Sequence, residues 1–210
     1  MYELIYDFCS VNLSLFRLFY SLFITLICLV IVLKTNKMFK VSNHQGIRYF
    51  RNAFFFYGIA FLFRYLLSVT YFATPIFEFF MIMAGFSLLY SLIWRNFEVE
   101  GSPSSLFNYY MSLFYIMAVT MVCLDFLFQS FLVLFLSQII VFVIISIISF
   151  KNIKKGGFSK KYHIAMVFCF LAWTLNLIFV SFLPRLRFIG NIYVLNLIVF
   201  LMILYGVTRR

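Results

Sequence analysis

The sequence predicts an all-α, polytopic integral membrane protein of seven spanning helices, N-terminus outside and C-terminus cytoplasmic, built as a single domain over residues 1–210. Three observations carry this. Of 210 residues, 65% are hydrophobic and 11% charged, where soluble domains average about 45–50% apolar and about 25% charged. Mean hydropathy is +1.06. No soluble core of this length hides so much apolar surface, and disorder needs the opposite composition. Seven stretches also have the roughly 20 mostly apolar residues that a spanning helix requires. Finally, the basic residues fall overwhelmingly on one side of those stretches.

The seven runs are Asn12–Leu33, Ile47–Val69, Thr74–Ile93, Leu106–Leu127, Phe128–Phe150, Tyr162–Leu183 and Phe188–Val207. The first follows an acidic start containing Glu3 and Asp7, without the positive n-region and small-residue cleavage site of a signal peptide, so it is expected to stay as a helix. A long basic loop from Lys34 to Gly46 is expected before the second run. Thr74-Pro75 opens the third with a cap and a proline at the first helical position. Ser102-Pro103-Ser104-Ser105 does the same before the fourth. No turn residue lies near Asp125–Gln129, so the link between the fourth and fifth runs must be very short. Gly156-Gly157 ends a lysine-rich extension of the fifth, and Pro184 stops the sixth.

With the N-terminus outside, 13 bases lie on the inner side: Lys34, Lys37, Lys40, Arg48, Arg51, Arg95, Lys151, Lys154, Lys155, Lys160, Lys161, Arg209 and Arg210. Two, Arg185 and Arg187, lie outside, and Arg17 and Arg64 sit within helices. That bias sets the orientation. It also accounts for the net charge of +11 without nucleic acid, which is not an expected partner. A faint three-plus-one-plus-three repeat is visible, as in some transporters. A shift of 112 residues places Ala53 on Ala165, Ala60 on Ala172 and Arg64 on Asn176; a shift of 115 places Tyr90 on Tyr205.

Ionisable residues within a membrane are the natural candidates for function. Counting at about 1.5 Å per residue puts Arg17, Arg64, Glu78, Asp125, Asn176 and Asn196 in one outer layer, from six different runs; Gln138 lies nearer the middle of the fifth. Arg64 and Glu78 flank the short connection at Tyr71–Ala73 at matching depth and are expected to pair. The layer reads as a polar pocket open to the outside for a small polar ligand or an ion. The competing reading, which polar contacts in membrane cores more commonly support, is structural glue between helices, with Arg17 snorkelling to headgroups. On the inner side His44, Arg48 and Arg51 form a helical stripe, joined by Lys34, Lys37 and Lys40. Lys151, Lys154, Lys155, Lys160 and Lys161 form a second cluster. Both suit anionic lipid headgroups or a protein partner, beyond their role as orientation signals.

Catalytic chemistry is not indicated. The two histidines, His44 and His163, lie near the inner face without metal-ligand spacing. No nucleophile–base pair or phosphate loop is present, so no catalytic residue, metal or cofactor is expected. The four cysteines, Cys9, Cys28, Cys123 and Cys169, read as small buried hydrophobes. No GxxxG packing motif occurs. All three prolines sit at helix ends, so broken helices are not signalled. The layout resembles seven-helix receptors of the rhodopsin type, the membrane sensor regions of bacterial kinases and small sugar transporters with a three-plus-one-plus-three repeat. The resemblance is of topology alone and lacks the transporters' proline-glutamine signature. The expectation is a sensor or receptor-like protein acting through a partner in a prokaryotic plasma membrane. A small transporter or channel, or a structural subunit of a membrane complex, are the alternatives.

Overall fold

A computed structural model describes residues 2–42, 45–66, 73–93, 109–128, 132–154 and 189–208, and all of them are helical. The helices are α1 (Tyr2–Ser42), α2 (Gln45–Leu66), α3 (Ala73–Ile93), α4 (Tyr109–Phe128), α5 (Leu132–Lys154) and α6 (Ile189–Thr208). Four stretches are long and apolar enough to cross a membrane: Leu18–Val41, Thr74–Ile93, Met111–Phe128 and Leu132–Lys151. The chain is thus a helical, membrane-type protein. The run Tyr162–Leu183 lies outside the described residues.

The sharpest departure from expectation is α1. It is 41 residues long, about 60 Å at the α-helical rise, against about 40–45 Å for a whole bilayer with headgroups. The expected loop after Leu33 is helical through Ser42. The reason is local: no glycine or proline occurs between Tyr2 and Ser42, and Lys40 in the last turn favours the negative helix end. α2 then begins at Gln45. The fourth and fifth runs are joined as tightly as expected, since α4 ends at Phe128 and α5 begins at Leu132.

α2 packs most extensively on α1 and α3; α3 also meets α4 and α5, and α6 lies against α1. α2 carries Arg48, Arg51, Asn52 and Arg64 and is less apolar than its neighbours, yet Tyr49, Asn52, Ala53, Phe56 and Ala60 are all buried. Counted from Tyr49 these stand at steps of three, four, seven and eleven, one helical face, and Phe54, Tyr57 and Phe61 are buried beside it. In α3 every residue from Met81 to Leu88 is buried, as in a helix enclosed on all sides.

Lipid tails are as apolar as leucine, so packing and polar contacts must hold such helices together. Aromatic rings supply much of the packing. Tyr49 and Tyr90 meet edge to face at 4.6 Å between centroids, and Phe86 stacks on Phe114 at 5.0 Å. Phe200 of α6 reaches Phe54 and Tyr57 of α2 at 6.1 and 5.8 Å. Each such pair contributes about 0.5–1.5 kcal/mol beyond its burial. Two single glycines do what a GxxxG motif does elsewhere. A Cβ on Gly58 would lie 3.1 Å from Cys28 Cβ, where α1 and α2 nearly touch. There the Thr25 hydroxyl, hydrogen-bonded to the Ser21 carbonyl at 2.9 Å, also reaches the Gly58 carbonyl at 3.5 Å. Gly85 does the same for α3 and α5. The repeat match of Tyr90 with Tyr205 joins unlike surroundings, since Tyr90 is buried and Tyr205 exposed.

Candidate functional site

One group of buried polar side chains lies where α3 and α5 begin and α4 ends. Asp125, in the last turn of α4, is 2% exposed. Its two carboxylate oxygens accept the backbone N–H groups of Val133, at 2.9 Å, and Leu134, at 2.6 Å. The first amides of a helix lack partners within it, and its N-terminus is electropositive. Asp125 therefore caps α5 from the helix before it. This is the physical basis of the short link, and it gives Asp125 a structural task within the expected polar layer.

Glu78, in the second turn of α3, is 4% exposed, and its charge is opposed by that of Asp125. Among the described residues no ion pair reaches it. The expected pairing with Arg64 is not what the structure shows. The Arg64 guanidinium lies over the Phe77 ring at 4.9 Å, and Phe77 meets Phe61 edge to face at 5.7 Å. Arg64 thus rests on one aromatic face, an arrangement worth about 0.5–2 kcal/mol. The reason is rotational: Phe77 and Glu78 are neighbours in sequence and so about 100° apart around α3. Matching depth holds; the shared face does not.

One to two turns further along α3 lies a contact that the sequence reading did not anticipate. Gln138 of α5 is fully buried and donates from Nε2 to the Met81 carbonyl at 3.1 Å. Its amide lies against the bare Cα of Gly85, where a Cβ would stand 2.6 Å from Oε1 and 3.0 Å from Nε2. Oε1 itself is buried without a hydrogen-bond partner. A lone glycine in one apolar run and a mid-run amide in another were the available signals. Leu134 and Gln138 are one turn apart on α5. On α3, Glu78 is followed by Met81 and Gly85 at the intervals of one face. Asp125, Glu78 and Gln138 thus form a buried polar column on the α3–α4–α5 seam.

The opposite end holds the first basic cluster. Arg51 donates from Nη1 to Asn36 Oδ1 of α1 at 2.8 Å and from Nη2 to Asn52 Oδ1 at 3.2 Å. The Arg48 guanidinium lies 5.8 Å from the Phe39 ring centre. Lys34, Lys37 and Lys40 are exposed. Of the other expected site residues, His44, Asn176, Lys155, Lys160 and Lys161 lie outside the described residues; of Arg17, Lys154 and Asn196 the structure describes only the helical backbone. Cys28 is a buried and Cys123 an exposed free thiol. Among the described residues no group of three or more His, Cys, Asp or Glu could hold a metal ion.

The chain is similar to a protein of Archaeoglobus fulgidus called "Uncharacterized protein", 28% identical across 91% of this chain and 90% of that relative. No family model matches the chain, and no solved structure matches it.

Proposed function

We propose that the protein is a seven-helix sensor or receptor-like bundle of a prokaryotic plasma membrane, N-terminus outside, that acts through a partner and is not an enzyme. Residues 162–183 supply the remaining span, and the positive-inside count supports the orientation. The observation that carries the reading is Glu78: a buried carboxyl, set beside a second carboxyl, with no cation on it among the described residues. A charge in that position is costly and calls for a counter-ion or a proton. Its ligand is then a small inorganic or organic cation reaching the outer end of the α3–α4–α5 seam. Binding there draws on three helices at once, so occupancy of the site can be passed through the bundle to a neighbouring protein. Asp125 holds α5 in place and Glu78 does the binding.

A small transporter is the second reading, favoured by the unpartnered Gln138 Oε1 deeper on the same seam. The test is thermal unfolding of the purified protein with a panel of inorganic and organic cations, beside Glu78→Gln. The proposal expects at least one cation class to raise Tm in the natural protein and not in the variant. Indifference to every cation sinks it. Flux of that cation into liposomes carrying the purified chain decides for transport; co-purification with a signalling partner and no flux decides for the sensor. Cysteine labelling at Ser104→Cys and Gly156→Cys from the inner side alone checks the orientation.

A further inference from the structure

The α1–α2 hairpin presents a second polar feature, at the end of the bundle away from Glu78. We infer that it is a seat for one anionic phospholipid, the headgroup held by Lys37, Lys40, Arg48 and Arg51 and an acyl chain laid along α1.

Among the described residues no carboxylate opposes the charge at this end. No Asp or Glu occurs between Asp7, near the far start of α1, and Glu78. Arg51 is oriented by the two amide oxygens of Asn36 and Asn52, at 2.8 and 3.2 Å. Neutral oxygens fix a guanidinium without neutralising it. The remaining donors of its planar fork keep their full preference for phosphate. Arg48 is steadied over Phe39, again by a group that leaves the charge in place.

The heights match a headgroup layer. Asn36 and Phe39 on α1 stand level with Arg51 and Arg48 on α2, as their contacts require. Lys34 to Lys40 spans about 9 Å of helix. One headgroup layer is about 5–8 Å deep, from the difference between a whole bilayer and its hydrocarbon core.

The apolar half of the seat identifies a lipid rather than a soluble acid. Phe23, Leu26, Val30 and Leu33 are exposed on α1. Their intervals of three, four and three place them on one face, and Lys37 follows Leu33 by four on that same face. From Phe23 to Leu33 is about 15 Å, half of the roughly 30 Å hydrocarbon core. A stripe one leaflet long, ending in cations, has the shape and charge order of a phospholipid. The extension of α1 past Leu33 is what carries Lys37 and Lys40 to the level of the arginines.

The test uses the full chain in neutral detergent, with retained lipid measured by native mass spectrometry. Phosphatidylglycerol and phosphatidylcholine of matched chains are compared. Phosphatidylglycerol is expected to bind at least tenfold tighter. Lys37→Gln and Lys40→Gln, both exposed and so without consequence for folding, should each weaken it about fivefold. Asn36→Leu, which leaves every charge in place, should weaken it as well by releasing Arg51. Equal retention of the two lipids, or lysine variants without effect, overturns the assignment. So does displacement of phosphatidylglycerol by millimolar inorganic phosphate, which shows that the chains contribute nothing. Displacement by an acidic peptide at equal concentration overturns it in favour of a soluble partner.

Discussion

α3 and α4 are nearly equal in length and almost equally apolar, yet 61% of the α3 span is buried and 17% of the α4 span. Hydropathy therefore places both in a membrane and distinguishes neither's role. What separates them is the size and polarity of a few side chains. α3 has Ala84, Gly85, Ser87 and Ser91, small enough to let other backbones approach. α4 offers Leu113, Ile116, Met117 and Val119, all exposed, and turns its rings Phe114 and Tyr115 toward α3. Its buried polar foothold is Asp125. The comparison teaches that close approach in this bundle comes where small side chains are turned inward: of α4's Ser112, Ala118, Thr120 and Cys123 only Ala118 is buried.

The difference can be broken most severely at Gly85. Gly85→Leu places a branched side chain where the Gln138 amide now lies, and is expected to destabilise the protein by about 3 kcal/mol or more. Gly85→Ala should do less harm, and Gln138→Ala should recover much of that loss. Thermal unfolding in detergent reads both; an unaffected Gly85→Leu would mean that α3 and α5 stand further apart.

Next comes α4's foothold. Asp125→Ala exposes two amides of α5 and should cost about 1–2 kcal/mol, visible as a lower Tm. Asp125→Asn keeps an acceptor oxygen and should recover part of it. A variant as stable as the natural protein would show that α5 starts without the cap.

Glu78→Gln has the opposite sign. It removes a buried charge that Asp125 opposes. The penalty for a charge at the centre of a spanning helix is about 2.5–3.5 kcal/mol, and Glu78 lies nearer the end of α3. Without added ligand the variant is expected to be more stable, by about 1–2 kcal/mol on that scale. A destabilised Glu78→Gln would reveal a partner that favours the charged form.

The ring contacts between α2 and α3 rank below these. A double-mutant cycle on Tyr49→Leu and Tyr90→Leu should give a coupling of about 1 kcal/mol. On the α4 side, Val119→Ala lies on an exposed face and should change stability by less than about 0.5 kcal/mol. A larger loss at Val119 would show that α4's outer face is covered in the assembled protein.

These same residues show what can be read from sequence. Depth was legible, because it needs only a count along a helix: Arg64 and Glu78 do flank one connection, and Asp125 does sit at the end of α4. Facing was not, because one residue of error turns a side chain by about 100°. That is the whole difference between Arg64 meeting Glu78 and Arg64 meeting Phe77. The short link after Asp125 was legible from the absence of a turn residue, while its cap was not, since the acceptor precedes its donors by eight and nine positions. Gln138 and Gly85 were visible as isolated residues, and no local pattern joins positions so far apart in the chain. The continuation of α1 past Leu33 shows that a run of charge predicts the end of the apolar region and says nothing about the end of the helix.

The cap on α5 has a consequence for the order of biosynthesis. α4 leaves the ribosome first, carrying a carboxylate whose partners, the amides of Val133 and Leu134, have yet to be made. Until they emerge, α4 carries that acid toward the hydrocarbon with these two bonds unmade, at a penalty of a few kcal/mol if it reaches the bilayer centre. Once the first turn of α5 forms, that acid becomes the start of the next helix. The two helices are therefore a single unit of membrane insertion, and a nascent chain halted after Phe128 should enter the bilayer less efficiently than one that continues through α5.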